Sequence, residues 1–408
     1  MSTLAVEPSA SLPLARHNAL TLSAAQAVVG AAAPVCISMG GLAGAYLLAM
    51  NGESDSLATA PVAGYNVGVA LGALPAAMLM RAVGRRYGLM TGALFTAIGG
   101  LVAAFALFQA SFWLFVAGLL IVGSAGAFAQ QYRFAATDHA PGEFKPRAIA
   151  WVLAGGLFAA VLGPQLIIYT REAFAPISYA GSALGIVALG LAGVFVLSFL
   201  RAPPVSVSAE DGTGPARPLL EIVRQPEYIT ALTCSVGAYA LMSFVMTGAP
   251  LAMVECGHPE DSAFLGIQWH VMAMFGPSFF TGRLIVRFGR DTIIATGMAM
   301  LAGCAVVALS GLSIPHFWIA LVLLGVGWNF AFIGATSMVT DTYRPSERNK
   351  AQGFHDLILF SSVAFASLMS GFTLNNAGWD MLNLIVLPTT AICTVVLLAN
   401  RRVRMAVV

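Results

Sequence analysis

Long uncharged stretches dominate this chain, and charged residues mark their boundaries. Cutting the 408-residue sequence at the charged residues leaves ten such stretches. A helix needs about 20 apolar residues to cross the hydrocarbon core of a bilayer. Eight stretches have the length of one crossing, and two are about twice as long. The ten stretches are 18–52, 56–80, 87–132, 148–170, 173–200, 228–254, 262–282, 292–343, 357–379 and 381–400.

Each of the two longest stretches contains a polar interruption. In 87–132 it lies at Gln109–Ser111, and in 292–343 it lies at Ser310–His316, which includes Pro315. Proline and small polar residues favour turns over helix. Each long stretch therefore predicts two helices joined by a short turn, and the chain is expected to cross the membrane twelve times.

The positions of the basic residues support this count. Cytoplasmic connections of membrane proteins carry an excess of Lys and Arg. With the N-terminus inside, nineteen of the twenty Lys and Arg residues lie in the tails or in cytoplasmic connections, and Arg171 is the exception. Residues 1–17 lack the features of a signal peptide and are predicted to form a cytoplasmic tail. We therefore expect a multi-pass membrane protein with both termini in the cytoplasm.

The composition excludes several other classes of protein. Hydrophobic residues make up 58% of the chain and charged residues 9%, whereas soluble globular proteins carry about 25% charged residues. Polar residues are too few to cover soluble domains. A nucleic-acid-binding protein is excluded because phosphate contacts need a dense basic surface. The chain is expected to have the lipid bilayer as its solvent and no nucleic-acid partner.

The cysteines give no sign of a metal or cofactor site. The chain has five, with no CxxC pair, and four of them lie within apolar runs. Such cysteines behave as small buried apolar side chains. No disulfide framework, metal or cofactor is expected from Cys36, Cys234, Cys256, Cys304 and Cys393.

The sequence divides into two matching halves. The connection 201–227 is rich in Pro, charge and small polar residues, and it separates residues 1–200 from residues 228–408. At a shift of about 205, Ala77–Arg86 (AMLMRAVGRR) matches Gly282–Asp291 (GRLIVRFGRD). At a shift of 203, Thr137-Asp138 matches Thr340-Asp341. Repeated halves with a solute site between them are typical of secondary transporters.

The two Gly-Arg turns resemble the signature loop of the major facilitator superfamily, Gly-x-Leu-Ala-Asp-Arg-x-Gly-Arg-Arg. Arg81 and Val286 stand where the family has aspartate, which puts the usual carboxylate-centred contact between the halves in question. The resemblance implies an all-α membrane protein with twelve transmembrane helices in two pseudo-symmetric six-helix bundles. It also implies that Arg85, Arg86, Arg287 and Arg290 lie in gating loops. The matching positions are Leu79, Gly84, Arg85 and Arg86 in the first copy and Gly282, Leu284, Arg287, Gly289 and Arg290 in the second.

A narrower resemblance points to a group within that superfamily. The run Gln130–Asp138 (QQYRFAATD), with Gly155-Gly156 and Gly163-Pro164, is similar to bacterial riboflavin uptake carriers. Drug exporters of the superfamily also carry Gly-Pro in the fifth helix, in an element that ends in Gly-Gly. This chain continues with Gln165-Leu166 instead, so the antiporter element is incomplete.

Polar groups at membrane depth are costly and usually face a cavity or a partner helix. The family fold implies that helices 1, 4, 7 and 10 line the transport path. On helix 10, Trp328 and Phe332 are four residues apart and share a face, with Asn329 beside Trp328. The alternative for each amide is a hydrogen bond between helices. The candidate solute-binding residues are Gln26, Gln130, Arg133, Gln165, His270, Trp328, Asn329 and Phe332.

His270, His355 and Asp356 are the candidate proton-coupling residues. Burial raises the pKa of a carboxyl group, and histidine titrates near neutrality. Neighbouring helical residues point about 100° apart, so His355 and Asp356 need not touch. Asp356 has an alternative partner in Gln352, one turn away. A structural contact near the cytoplasmic surface is the alternative role for Asp356.

These observations predict a secondary active transporter that works by alternating access. The sequence has no GxxxxGK[ST] loop for ATP and no GxSxG or HExxH motif, so neither a primary pump nor an enzyme is expected. With few buried charges to match a charged solute, rings and amides favour a small, largely uncharged, aromatic, riboflavin-like molecule. Uptake by a monomer is expected, with protons as a candidate coupling ion. The alternatives are a proton-coupled drug or metabolite efflux carrier and, less expected, a channel or a membrane-embedded enzyme.

Overall fold

The computed structural model describes residues 12–138, 140–141, 143–201 and 217–407. Almost all of these residues are helical, and nine of the described helical segments are long and apolar enough to cross a membrane. The segment Asp55–Phe108 has 54 residues, about 80 Å at 1.5 Å per residue, whereas the hydrocarbon core is about 30 Å thick. Its backbone leaves the helical conformation at Gly84, so the segment contains two crossings.

Two further crossings are interrupted helices. Glu260–Phe275 and Ser278–Phe288 are separated by Gly276-Pro277. The last crossing follows a break at Gly378 and continues through Val386–Val407. Across the described ranges the chain therefore makes the twelve crossings that the sequence predicts.

We number these crossings α1 to α12 in chain order. The first half contains α1 (Leu12–Val28 and Ala32–Met50), α2 (60–83), α3 (85–108), α4 (Phe112–Ala129, with the turn Tyr132–Ala135), α5 (Lys145–Thr170) and α6 (Ala180–Leu197). The second half contains α7 (Pro226–Glu255), α8 (Glu260–Phe275 and Ser278–Phe288), α9 (Arg290–Leu309), α10 (Ile314–Thr340), α11 (348–377) and α12 (379–384 and Val386–Val407).

The turns predicted inside the two longest stretches are confirmed. α3 ends at Phe108 and α4 begins at Phe112. α9 ends at Leu309 and α10 begins at Ile314. The polar interruptions therefore fall where the backbone changes direction.

The predicted N-terminal tail is too long. α1 already begins at Leu12, and residues 1–11 lie outside the described chain. Two contacts with the end of α6 hold the first turns: His17 Nε2 lies 2.9 Å from the Phe199 carbonyl oxygen, and Asn18 Nδ2 donates to the Arg201 carbonyl at 2.8 Å. Of the predicted connection 201–227, residues 202–216 lie outside the description, and the remainder includes a short helix, Leu219–Val223.

The internal repeat is visible in the backbone. Gly84 has φ 84° and ψ 162° inside the α2–α3 turn, and Gly289 has φ 82° and ψ 147° inside the α8–α9 turn. Glycine adopts positive φ without the steric cost that a side chain brings. The two glycines are 205 positions apart, so the sequence match at that shift marks the same turn in each half.

Small residues let α2 lie directly against α4. A Cβ atom placed on Gly68 would come within 2.0 Å of the Leu120 carbonyl oxygen, and one on Gly72 within 2.5 Å of the Ser124 carbonyl oxygen. These glycines, four residues apart, therefore act in helix packing. Because any larger side chain would push α4 away, they fix the position of α4 against α2.

The two halves are bonded to each other at one end of the bundle, which we call the Arg171 end. Arg171 pairs there with Asp261 of α8. Thr59 of α2 accepts a hydrogen bond from Gly371 N of α11 at 3.1 Å. Among the described residues, the hydrogen bonds between the halves lie in the part of the bundle nearest this end. Arg85, Arg217 and Arg290 lie at the opposite end, which we call the basic end. The ion pairs of Arg85 and Arg290 there stay within one half. Arg217 of the connection pairs with the second half.

Candidate solute site between the two halves

Arg133 is a charged residue that lies between the two halves. It belongs to the turn Tyr132–Ala135 at the end of α4. Protein surrounds its guanidinium on most sides, yet the side chain is exposed to solvent. It lies within electrostatic range of Asp356 on α11 and Tyr239 on α7, both in the second half. Its guanidinium lies 4.8 Å from the Phe134 ring centroid. An exposed cation of the first half with electrostatic neighbours in the second half indicates a gap between the halves that solvent reaches.

Four rings of the second half form one cluster, which we call the aromatic wall: Tyr239, Trp328, Phe332 and Phe360. Trp328 and Phe332 stack with centroids 5.0 Å apart and planes 13° apart, which confirms their predicted shared face. Tyr239 meets both rings edge-on at 5.2 Å and Phe360 at 6.2 Å. Tyr239 is also an electrostatic neighbour of Arg133, so we take the aromatic wall as the second-half side of the gap.

Ser235, His355 and Asp356 form a hydrogen-bond chain that ends at the gap. His355 Nε2 lies 2.8 Å from Ser235 Oγ on α7, and His355 Nδ1 lies 3.0 Å from the Asp356 carboxylate. His355 is 4% exposed, whereas the Asp356 side chain is 57% exposed. The chain therefore connects a buried hydroxyl to a carboxylate that solvent and Arg133 can reach.

The sequence left open whether His355 and Asp356 touch, and the structure shows that they do. His355 and Asp356 are consecutive on α11, but rotation of the imidazole brings Nδ1 to the carboxylate despite the angle between their Cα–Cβ bonds. The alternative pair between Asp356 and Gln352 is wrong, because the Gln352 amide donates to the Tyr343 hydroxyl at 2.6 Å. A side chain with two rotatable bonds can reach a neighbour that the helical wheel alone places out of contact.

The first half supplies two further polar candidates. Gln130 is exposed one turn before Arg133, on the same stripe of α4. Gln26 of α1 is half-buried and lies against α5, where a Cβ on Gly155 would come within 3.2 Å of the Gln26 Cβ. A solute role for each of these amides stays a prediction.

Asn329 does not face the gap. It is 0% exposed, and its amide donates to the Met274 carbonyl at 2.6 Å and to Ser278 Oγ at 2.7 Å. Its side-chain oxygen accepts from Thr281 Oγ1 at 2.6 Å. These partners surround the break in α8 at Gly276-Pro277, where a proline has no N–H to give the helix. The expected bond from Asn329 to solute is therefore replaced by bonds that hold the broken helix.

His270 and Gln165 also lie elsewhere than predicted. His270 is 0% exposed and its Nδ1 bonds the Leu321 carbonyl of α10 at 2.8 Å, inside the second half. Gln165 of α5 donates to Gln268 of α8 at 2.9 Å, so it joins the halves on the side of the Arg171 end. Both residues are candidates because they are polar groups at membrane depth, but His270 points into the second half and Gln165 is engaged by Gln268.

The predicted gating loops carry matching ion pairs. Arg85 Nε lies 2.8 Å from the Asp138 carboxylate. In the second half Arg290 pairs with Asp341 and also with Glu227. Each pair ties two loops of the same half together. The other two gating arginines lie over the ring that follows them, Arg86 at 5.8 Å from the Tyr87 centroid and Arg287 at 5.2 Å from that of Phe288.

Sequence reasoning missed three residues of this site: Ser235, Tyr239 and Phe360. Phe360 follows Asp356 by four residues, so the i, i+4 rule could have placed the two on one face. Ser235 and Tyr239 are also four apart, on α7, one of the helices expected to line the path. The signal that could have found them is therefore two four-residue spacings on facing helices, one on α11 and one on α7.

The residues described here also bear on metal binding. Cys36, Cys234, Cys304 and Cys393 are buried, and Cys256 is exposed. Within the described ranges no group of three His, Cys, Asp or Glu side chains is placed to hold a metal ion. The chemistry available in the gap is therefore that of rings, amides and the charges of Arg133 and Asp356.

Two matched six-helix halves with a solvent-reached gap between them define a membrane transporter. The chain belongs to the Major Facilitator Superfamily, whose family model matches residues 28–334 and 269–406. It is 50% identical over 384 residues to the riboflavin transporter RfnT of Brucella anthropi, covering 94% of this chain and 96% of that protein. It is 31% identical over 349 residues to the MFS-type transporter YddS of Bacillus subtilis, covering 81% and 79% of the two chains.

Solved structures share the fold. The nucleoside transporter NupG aligns with a TM-score of 0.65 at 13% identity over 95% of this chain and 99% of that chain. A bacterial homologue of the lysosomal transporter Spinster aligns with a TM-score of 0.65 at 15% identity over 96% and 99%. The expected all-α architecture of twelve transmembrane helices is therefore confirmed, and the chain is a multi-pass membrane protein.

Proposed function

We propose that this chain takes up riboflavin, or a flavin close to it, across the bacterial inner membrane. The observation that carries the proposal is the 50% identity to a riboflavin transporter along 94% of the chain. The site is consistent with it. The aromatic wall offers stacking surface, and Arg133 and Gln130 offer hydrogen-bond donors to a planar solute with polar edges.

Transport proceeds by alternating access, with the solute bound between Arg133 and the aromatic wall. We place the basic end, and with it both termini, in the cytoplasm, because basic residues collect on that side of a membrane. The hydrogen bonds between the halves then close the external side, and the gap opens inward. A rocking motion must break the Arg171–Asp261 and Gln165–Gln268 contacts and bring the basic ends of the halves together.

Proton coupling is assigned to the chain Ser235–His355–Asp356. Asp356 reaches solvent and lies in range of Arg133, so a proton on the carboxylate weakens its attraction to Arg133 across the gap. His355 holds the carboxylate and can share its proton. His270 was a candidate for the same role, but its enclosure between α8 and α10 supports His355–Asp356 instead.

Uptake of labelled riboflavin into right-side-out bacterial membrane vesicles tests the function. We expect saturable uptake that excess unlabelled riboflavin blocks, and none in vesicles without the protein. Faster uptake with an inward-directed proton gradient supports coupling, and its loss in Asp356→Asn but not in the control His316→Gln assigns the site. Uptake that is absent at every gradient would refute riboflavin import, and export from preloaded vesicles alone would identify an efflux carrier.

A further inference from the structure

The two sides of the gap differ in chemistry. The second half contributes the four rings of the aromatic wall, and the first half contributes Arg133 with Gln130 one turn away. Tyr239 is the residue where these two surfaces meet. Its ring contacts Trp328, Phe332 and Phe360, and its hydroxyl lies within electrostatic range of the Arg133 guanidinium and of Tyr65 on α2.

The polar groups at this meeting point are mainly hydrogen-bond donors. Arg133 has five N–H groups and no acceptor, and a tyrosine hydroxyl donates one proton. The Trp328 indole is a third donor: it is 7% exposed, and its N–H has no acceptor among the described residues. A buried donor without a partner is costly, so the free indole N–H points to an acceptor that arrives with the solute.

We propose that Tyr239 is a specificity-determining residue that, with Arg133 and Trp328, recognises the carbonyl edge of a fused heteroaromatic ring. The inference rests on the proposed flavin transport and deepens it. Stacking on the aromatic wall selects a planar ring system, and the donors select ring carbonyls. The attached polyol chain lies outside these contacts, so the ring system carries the recognition.

Two flavins distinguish recognition of the ring from recognition of the attached chain. Riboflavin carries a ribityl chain at N10, and lumiflavin keeps the same isoalloxazine ring and carbonyls with a methyl group in place of that chain. If the ring is what the site binds, both compounds bind with comparable affinity, and a change at Tyr239 weakens both by the same factor. Recognition through the ribityl hydroxyls would instead give tight riboflavin binding and weak lumiflavin binding.

The test measures quenching of flavin fluorescence by the purified full-length protein in detergent. Tyr239→Phe removes only the hydroxyl, Tyr239→Leu removes the ring, and Trp328→Phe keeps one aromatic ring but removes the indole N–H together with part of the ring surface. Tyr46→Phe is the control, because its hydroxyl bonds the Pro176 carbonyl near the Arg171 end. Size-exclusion elution and thermal unfolding report whether each variant is folded.

We expect Tyr239→Phe and Trp328→Phe each to weaken binding of both flavins by about two- to tenfold, Tyr239→Leu to weaken it further, and Tyr46→Phe to leave it unchanged. Normal riboflavin binding by folded Tyr239→Phe and Tyr239→Leu would overturn the inference while the flavin function stands. Riboflavin binding in a protein that rejects lumiflavin would also overturn the inference. A wild-type protein that binds neither flavin would overturn the proposed function, and this inference with it.

Discussion

Arg85 and Asp138 form an ion pair at 2.8 Å that Arg290 and Asp341 repeat in the other half. The arginines are 205 positions apart and the aspartates 203. In each half the pair ties the turn after the second helix to the segment after the fourth. The sequence matches between the halves at shifts of 205 and 203 therefore mark the arginine and the aspartate of one repeated ion pair.

These pairs predict an effect on turnover. Arg85→Gln frees the turn between α2 and α3 from the α4 segment, and Arg290→Gln does the same in the second half. Because both pairs lie at the end that must rearrange during rocking and away from the aromatic wall, we expect the maximal uptake rate to fall severalfold while the half-saturating concentration stays constant. Kinetics of riboflavin uptake measure both quantities.

Arg81→Gln is the matched control, since Arg81 is exposed just before the same turn and forms no ion pair or hydrogen bond with the described residues. The exchange Arg85→Asp with Asp138→Arg should recover part of the lost rate if the ion pair itself matters. An unchanged rate in both Arg85→Gln and Arg290→Gln would leave these arginines with no part in gating.

We expect the ion pair of Arg171 to hold the two halves together at the closed end. It pairs with Asp261 of α8, lies 3.5 Å from Glu260 and stacks on Phe264 at 5.6 Å. Asp261→Asn removes a charge from the opposite half. A partly exposed ion pair contributes about 0.2–1 kcal/mol, so the population open at the Arg171 end should rise by at most about fivefold.

Labelling of a cysteine at Ser38 measures this opening. Ser38 is 0% exposed on α1, and the exposed Cys256 is first replaced by serine. An impermeant maleimide added from the Arg171 side should react faster in Asp261→Asn than in the parent. Glu172→Gln is the control, because Glu172 lies 3.7 Å from Arg171 in the same half. Equal labelling in all three proteins would show that the pair does not hold the halves together.

Trp328 and Asn329 are neighbours with opposite predicted phenotypes. Trp328→Ala removes a stacked ring from the aromatic wall, which costs about 0.5–1.5 kcal/mol beyond buried area and should weaken flavin affinity by roughly two- to tenfold. Asn329→Ala removes three buried hydrogen bonds around the break in α8. We expect it to lower the free energy of unfolding by about 1–3 kcal/mol and to leave affinity unchanged.

Thermal unfolding and fluorescence titration of the two variants separate these effects. Asn376→Ala is the control for the amide, because Asn376 is exposed and bonds only the Phe372 carbonyl of its own helix. If Asn329→Ala weakens flavin affinity and keeps normal stability, Asn329 belongs to the solute site after all.

Glu347 predicts a pH dependence of stability at the basic end. Hydrogen bonds from the Arg217 side chain hold the pKa of this carboxyl well below its usual range, with further bonds from the backbone N–H groups of Arg344 and Arg217. A carboxyl whose pKa is lowered by folding stabilises the protein above its unfolded pKa, roughly 4.3. That contribution disappears as the pH falls toward the lowered value.

We therefore expect the melting temperature of the wild type to fall more steeply below about pH 4.5 than that of Glu347→Gln. The two proteins are compared in the same detergent from pH 7 to pH 3. If the melting temperatures of the two proteins fall in parallel across this range, Glu347 is not the source of acid sensitivity.

The sequence by itself determined the topology and the family. Hydrophobic stretches of membrane length, interrupted at Gln109–Ser111 and Ser310–His316, are enough to count crossings, because a bilayer forces every spanning segment to satisfy its own backbone. The repeated Gly-Arg turns located the two halves. Four-residue spacing also paired Trp328 with Phe332, because neighbours on one helix are set by local geometry.

Only the tertiary structure decided which polar side chains meet the gap. The packing of α8 against α10 points both His270 and Asn329 into the second half. Asn329 bonds groups at the break in α8, and His270 bonds the Leu321 carbonyl of α10. Tyr239 joins the site because α7 brings it between Arg133 and the rings of α10 and α11. The direction of a side chain depends on how its helix is rotated against its neighbours, and that rotation is set by contacts between residues far apart in the chain.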